Sequence, residues 1–412
     1  MPTAPSRTTT VVVGAGHSGL AVSRCLAERS IDHVVLERGQ VAASWRTQRW
    51  DSLRLLTPTW MTRLPGHTYA GDEPDGFLTA AEVADLVTGY GRDLPVRTGV
   101  EVTAVRPLDG GFEVRTSEGT WTADTVVLAA GLTRGVVPAL AEALPDNLVS
   151  LHAIDYKNPG QLPDGGVLVV GPSSSGVQIA EELQLSGRQV TLATGEHVRL
   201  PRRYRDRDIL WWMDAVGILD ERYDELDDLV RARNLPSMQL VGGDRTLDLN
   251  VLQSTGVRLT GRLAAVRDGE ALFSGSLANV CNLADLKLNR LLGTIDQHAG
   301  GTGERPEPTK VPDAPLGIDL RSSEIRSVLW ATGIKPDHSW LDAPVFTPKG
   351  ALRHDGGVTA VPGLYVTGLP VLRRRRSTFI DGAAADAADV TDHLAGFLAG
   401  SLSVKAPQRS AS

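Results

Sequence analysis

Short apolar runs and small-residue turns succeed one another along this chain in a repeating order. Thr8 to Val13 is brief, apolar and β-branched, the pattern of a strand buried on both faces of a parallel sheet. The turn Gly14-Ala15-Gly16-His17-Ser18-Gly19 follows at once, Leu20 to Arg29 then predicts a helix, and "HVVLER" predicts a second strand ending at Glu37. The same order returns in "VLVVGPSSSGVQIAEEL", residues 167 to 183. From about Val96 to Val127 the chain alternates strands with glycine turns, "PLDGG" marking a hairpin. That stretch closes on Leu128-Ala129-Ala130-Gly131, and "SVLWATG", Ser327 to Gly333, repeats the strand-plus-small-residue ending. "GLYVTG" predicts a further short strand and Asp386 to Leu398 a last helix.

The pattern implies an α/β fold of two dinucleotide-binding, Rossmann-like domains, the second inserted in the first. The expected division is 1–158 for the first part of the outer domain, 159–325 for the inserted one, 326–402 for the return and 403–412 for a tail. Residues of about 206–240, including Trp211 and Trp212, read as a helical insert, either a lid over a lipophilic substrate or plain packing. "HAGGTGERPEPTKVPDAP" reads as a loop returning the chain to the outer domain.

The two turns differ in their chemistry. In the first, Gly14 allows a sharp bend, Gly16 lets backbone approach a pyrophosphate, and Gly19 lets helix and strand pack closely. The helix amino terminus offers free N–H groups to phosphate, and Glu37 stands where an acid accepts from ribose hydroxyls. In Gly171-Pro172-Ser173-Ser174-Ser175-Gly176 the central glycine is replaced by Ser173, and its partner strand "RQVTLATG" ends without an acid. Arg199, Arg202, Arg203, Arg205 and Arg207 follow instead. A guanidinium fork suits the 2′-phosphate of NADP, although pairing with Asp206 and Asp208 is an equally bland use, and Glu196 keeps NADH open. One unit thus reads as made for a resident FAD and the other for a visiting NADPH. Val102, Ala130, Gly131, Ala331, Thr332 and Gly333 join the expected nucleotide-contacting positions.

Composition narrows the class without changing it. The chain has 412 residues, 42% apolar, with a net charge of −7, which argues against nucleic-acid binding. "MPTAPSRTTT" lacks the apolar core of a secretory signal, and no run of 18 apolar residues exists, so a cytoplasmic location and no membrane partner are expected. Cys25 and Cys281 have no neighbouring partner, which excludes the paired-cysteine relay of disulfide-reducing flavoenzymes. No metal-ligand set is assigned.

At this point the sequence resembles the class B flavin-dependent monooxygenases, the flavin-containing and Baeyer–Villiger enzymes. It resembles most the short bacterial flavoproteins labelled as potassium-transport oxidoreductases. The resemblance rests on the Gly14–Gly19 turn, Glu37-Arg38, Ser44-Trp45-Arg46, "WDSLRLLTP", "LHAIDYKNP", the Gly171–Gly176 turn, "LPRRYRDRDILWW", "LWATG" and "RRRRSTFIDGAAADAA". It implies oxygenation of a small organic substrate by O2 through a C4a-(hydro)peroxyflavin, with FAD and NADPH as cofactors. It also implies that Ser44, Trp45 and Arg46 reach the flavin ring, with Thr57 nearby, and that Arg46, Thr57 and His152 serve catalysis. Phe379 and Ile380 would open a helix whose dipole favours negative charge on reduced flavin. Arg373 to Arg376 either add to that field or are simply solvated. The signature FxGxxxHxxxY is matched at His152 and Tyr156 but holds Asp146 and Leu148 at its first two positions. The alternative of an NAD(P)H-dependent flavin oxidoreductase, passing electrons on without oxygen insertion, therefore stays open, as do a hinge role for His152, a packing role for Trp45 and a homodimer.

Overall fold

The computed structural model describes residues 5–322 and 324–401; the expected tail lies outside them. Two parallel sheets organise the chain. In the first, Leu364–Val366, Gly119–Leu128, Ser6–Val13, His33–Glu37 and Val96–Thr98 lie side by side and parallel, with an antiparallel meander, Val102–Leu108 and Gly111–Thr116, joined to it. In the second the order is Val149–His152, Ile325–Trp330, Gly166–Val170, Val190–Ala193 and Arg258–Thr260, all parallel. A second antiparallel trio, Leu263–Arg267, Glu270–Phe273 and Gly317–Asp319, repeats the meander of the first unit. Valine and leucine fill these strands because both faces are covered, and Val11, Val12, Val126, Val127, Val167 and Val169 are fully buried.

The sheets correct the expected boundaries. "SVLWATG" belongs to the second sheet, since Ile325–Trp330 pairs with Gly166–Val170, and so does Val149–His152, placed by its sequence in the outer domain. The chain passes between units at Arg134–Gly135 and Ile334–Lys335, which pair with each other antiparallel. Identical apolar patterns in both sheets gave no means of telling which one each strand joined.

The expected helical insert is mostly loop, with short α-helices at Ile209–Ala215 and Leu229–Arg233 and a 3-10 turn at Ile218–Asp220. The long helix of this region is instead Leu277–Ala299, whose buried stripe is Leu277, Cys281, Ala284, Leu288, Leu292 and Ile295. Trp212 is core, donating its indole N–H to the Tyr204 carbonyl at 2.7 Å, while Trp211 lies at the surface against Arg207. The last helix starts earlier than expected and runs Ile380–Leu398. Among the described residues no helix is long and apolar enough to cross a membrane.

Candidate functional site: two glycine turns and the segment between them

Both turns are built the same way. An ideal Cβ on Gly14 would sit 2.6 Å from the Ala129 carbonyl oxygen, and one on Gly171 would sit 2.4 Å from that of Ala331. Their φ values, +106° and +111°, lie where side chains are strained. Gly19 and Gly176 are tighter still, their Cβ falling 2.0 Å and 1.8 Å from the carbonyl oxygens of Gly14 and Gly171. The small residues that close neighbouring strands, Ala129-Ala130-Gly131 and Ala331-Thr332-Gly333, thus form the wall against which each turn bends. Gly16 and Ser173 cap the helices His17–Glu28 and Ser174–Leu185 in nearly one conformation, φ −80° with ψ 177° and −176°. That extended backbone admits serine without strain. Space beside Gly16 is open, with nothing within 4 Å of an ideal Cβ.

The strand ends separate the two turns chemically. The Gly14 N–H donates to the Leu36 carbonyl and the Gly171 N–H to that of Ala193, so Glu37 and Thr194 occupy equivalent positions. Glu37 accepts from the Ala15 N–H at 2.9 Å and from the Gly39 N–H at 2.8 Å. A carboxylate has about four acceptor sites, so it keeps capacity for a ribose. Arg38 beside it is exposed, and Val102 is buried near Val100, whose N–H donates to the Glu37 carbonyl. Thr194 is buried and offers no charge. Beyond it, Glu196 pairs with Lys287 at 2.7 Å and Arg231 at 3.9 Å, and the Arg262 side chain lies along Gly195. The loop carrying Ser237 and Gln239 rests on the second turn: Ser237 Oγ accepts from the Ser174 N–H, and Gln239 donates to the Pro172 carbonyl.

The arginines expected to read a 2′-phosphate divide. Arg199 is buried, with its guanidinium engaged by Asp248, Asp285 and the Glu307 carbonyl. Arg202 is also buried and paired with Asp208; it donates to the carbonyls of Leu56 at 2.8 Å and Val241 at 3.3 Å. Both are structural clamps because buried guanidinium groups need their charge and donors answered inside the fold. Arg203 alone of the three is exposed, donating to the Asp206 carbonyl.

Between the turns runs the segment 44–62. Trp45 packs against both cores, Trp50 and Leu53 join the second core, and Leu55 joins the first. Thr57 is buried next to the Leu56 carbonyl that Arg202 holds. Ser44 is half-buried at the start of the short helix Ala43–Thr47. Arg46 is a correction: it points to the surface, pairing with exposed Asp85 at 2.9 Å and donating to Thr88 Oγ1. The neighbouring cation Arg49, which the sequence motifs passed over, lies over the Trp45 ring at 4.9 Å.

His152 lies buried where the chain crosses between the units. Its Nε2 faces the Gly333 carbonyl at 3.1 Å and its Nδ1 accepts from the Ile154 N–H, which fixes a neutral tautomer. A Cβ on Gly135 would strike its ring, so His152 braces both strands that cross between units. Tyr156 donates to Glu182 at 2.7 Å, and Ser52 donates to the other oxygen of the same carboxylate. The four-arginine run is neither solvated nor free to add field. Arg373 pairs with Asp389, Arg374 with Asp386 and Asp389, Arg375 with Glu221, and Arg376 with Asp214, Asp220 and Asp381. Phe379 caps the last helix and Ile380 is buried in the first core, with Asp381 already in its first turn.

Burial lowers the pKa of His33, His152, His197, His338 and His393, and takes His17 and His354 to about 4. These imidazoles are neutral in the fold, while the unfolded chain binds protons near pH 6.5. Their contribution to stability is complete above that pH and is lost as pH falls towards 4. The thermal midpoint is expected to drop by several degrees between pH 7.5 and 5, which scanning calorimetry would read. The thiols behave oppositely: Cys25 and Cys281 lie in separate cores, and burial pushes Cys281 up to about 11 and raises Cys25. Neither is a poised nucleophile.

The residues fit a dinucleotide on the first turn: open space at Gly16, an acid at the strand end, and a buried His17 Nε2 without a partner at the helix start. The pyridine nucleotide-disulphide oxidoreductase family profile matches residues 11–210. A CzcO-like oxidoreductase of Geobacillus kaustophilus is 30% identical over 387 residues, covering 92% of this chain and 95% of its own. The indole-3-pyruvate monooxygenase YUCCA6 of Arabidopsis thaliana is 32% identical over 205 residues, 47% of this chain and 49% of its own. The flavin-containing monooxygenase of Stenotrophomonas maltophilia shares the fold, with a TM-score of 0.67 at 19% identity over 95% of this chain and 99% of that one.

Proposed function

Because the chain belongs to the CzcO-like oxidoreductases, enzymes of the class B flavin-monooxygenase-like family, we propose that it is an NADPH-dependent monooxygenase. FAD resides on the first turn, NADPH visits the second, and one atom of dioxygen enters a small organic substrate while the other leaves as water. The observation that carries this reading is the pair of matched turns with unmatched strand ends, Glu37 against Thr194. An acid suits a free ribose, and its absence suits a phosphorylated one. In place of Arg199 and Arg202, the cations that would meet the 2′-phosphate are Lys287, Arg231 and Arg262, close to the end of the second unit's ribose strand.

When bound, FAD supplies the hydride acceptor and the place where dioxygen is activated. The chain's own part is to hold, orient and dry the site. Gly14 to Gly19 hold the diphosphate, Ser173 and Ser175 offer hydroxyls and N–H groups to the second nucleotide while the Ser174 N–H is held by Ser237, and Trp45 and Thr57 lie in the segment between the cores. His152 and Tyr156 tie the linker rather than touch reactants, so their match to the monooxygenase signature does not itself support oxygen insertion.

Incubation with NADPH, labelled dioxygen and a panel of amines, sulfides and ketones tests the reading. A product heavier by one labelled oxygen, with NADPH consumed one for one, is expected. Stoichiometric hydrogen peroxide and no label in any product would replace it with electron transfer to another acceptor.

A further inference from the structure

We propose that Arg49, outside every signature above, is the counter-charge of the flavin nucleotide's diphosphate. The inference rests on the FAD reading just given and adds to it a residue whose charge the fold leaves unanswered.

The fully buried guanidinium groups of this protein, those of Arg199, Arg202 and Arg376, are neutralised from within. Arg199 has two carboxylates, Arg202 one and Arg376 three. Arg49 has no acid within ion-pair distance among the described residues; its Nη1 donates only to the adjacent Gln48 carbonyl at 2.8 Å, and its guanidinium covers the Trp45 ring. Burial lowers its pKa with no opposing carboxylate. Arg49 is half-buried, and a partly desolvated cation with no carboxylate beside it is one that an arriving anion can answer.

The place of arrival is marked by His17. It is the first residue of the helix that Gly16 caps, its Nε2 is buried without a partner, and the Arg49 charge reaches it and helps to hold it neutral. Gln48, next to Arg49, likewise has a buried Oε1 without a partner. Open space at Gly16 and the positive end of a 12-residue helix lie beside this segment, because the Ala42 N–H donates to the Ala15 carbonyl at 3.2 Å and the helix Ala43–Thr47 leads from there to Arg49. An ion of two negative charges answers both the helix end and the guanidinium, and the diphosphate is the part of the dinucleotide that a glycine turn receives.

The test uses Arg49→Met and Arg49→Lys in the full chain stripped of flavin. Titration with FAD, and with ADP as a probe that carries the diphosphate without the flavin ring, should show both ligands weakened by about a hundredfold in Arg49→Met, with Arg49→Lys recovering part of the loss. The flavin-free Arg49→Met protein should melt no lower than the parent, since methionine still covers the Trp45 ring and removes a half-buried charge that has no carboxylate partner. FAD weakened with ADP unchanged would move Arg49 to the flavin ring and overturn the proposal. Unchanged affinities, or a lower melting point in the flavin-free variant, would also overturn it. If the parent binds no FAD, the failure belongs to the function proposed above.

Discussion

Gly19→Ala is expected to yield a protein that no longer retains flavin, whereas Gly176→Ala should stay yellow and lose its reduction by NADPH. The two changes are chemically equal. Each places a methyl group about 2 Å from a carbonyl oxygen of its own turn, at 2.0 Å from Gly14 and 1.8 Å from Gly171. Neither oxygen can retreat easily, because Gly14 already bends against Ala129 and Gly171 against Ala331. The helix must move off the strand, and with it the N–H groups that face the phosphates. Overpacking of this kind costs about 1–3 kcal/mol or more, so affinity for the affected nucleotide should fall about fivefold to a hundredfold or more. Flavin absorbance per protein, set beside the rate of flavin bleaching by NADPH, separates the outcomes. Equal flavin loss in both variants would mean that the turns do not serve different nucleotides.

Arg202→Ala should destabilise the whole protein by about 3–5 kcal/mol, the usual cost of breaking a buried ion pair. Asp208 would be left without its guanidinium, and the carbonyls of Leu56 and Val241 without their donors. Because Leu56 precedes Thr57, the segment between the cores would loosen too, so use of NADPH and NADH should suffer alike. Arg203→Ala, at an exposed position, should leave stability within about 0.5 kcal/mol of the parent. Denaturant unfolding with flavin present reads the difference, and an Arg202→Ala protein of normal stability with a selective loss of NADPH would restore the 2′-phosphate role.

The contrast between these predictions shows what the sequence makes legible. The glycine turns can be read because much of their constraint is local: the positive φ of the first glycine, and the Cβ that the last glycine would press against the first, travel with six consecutive residues. Glu37 is legible for the same reason, one strand away from its turn. Arg199 is not, since Asp248 and Asp285 lie 49 and 86 residues away; for Arg202 the pairing with Asp208 is open in the sequence, but its burial against the Leu56 carbonyl, 146 residues away, is not. The four-arginine run looked like a charged surface, yet its partners come from Asp214, Asp220 and Glu221 on one side and the last helix on the other. Leu277–Ala299 did carry an apolar stripe of helical period, a signal present but passed over. Strand membership failed differently, because two sheets built on one plan leave the same apolar pattern in both.

Anaerobic addition of NADPH to the purified protein, followed in the visible spectrum, tests the division between the two turns most directly. A protein that carries about one FAD per chain and bleaches on mixing is the expected result. A colourless protein that refuses added FAD, or a yellow one that NADPH leaves unbleached, would contradict it.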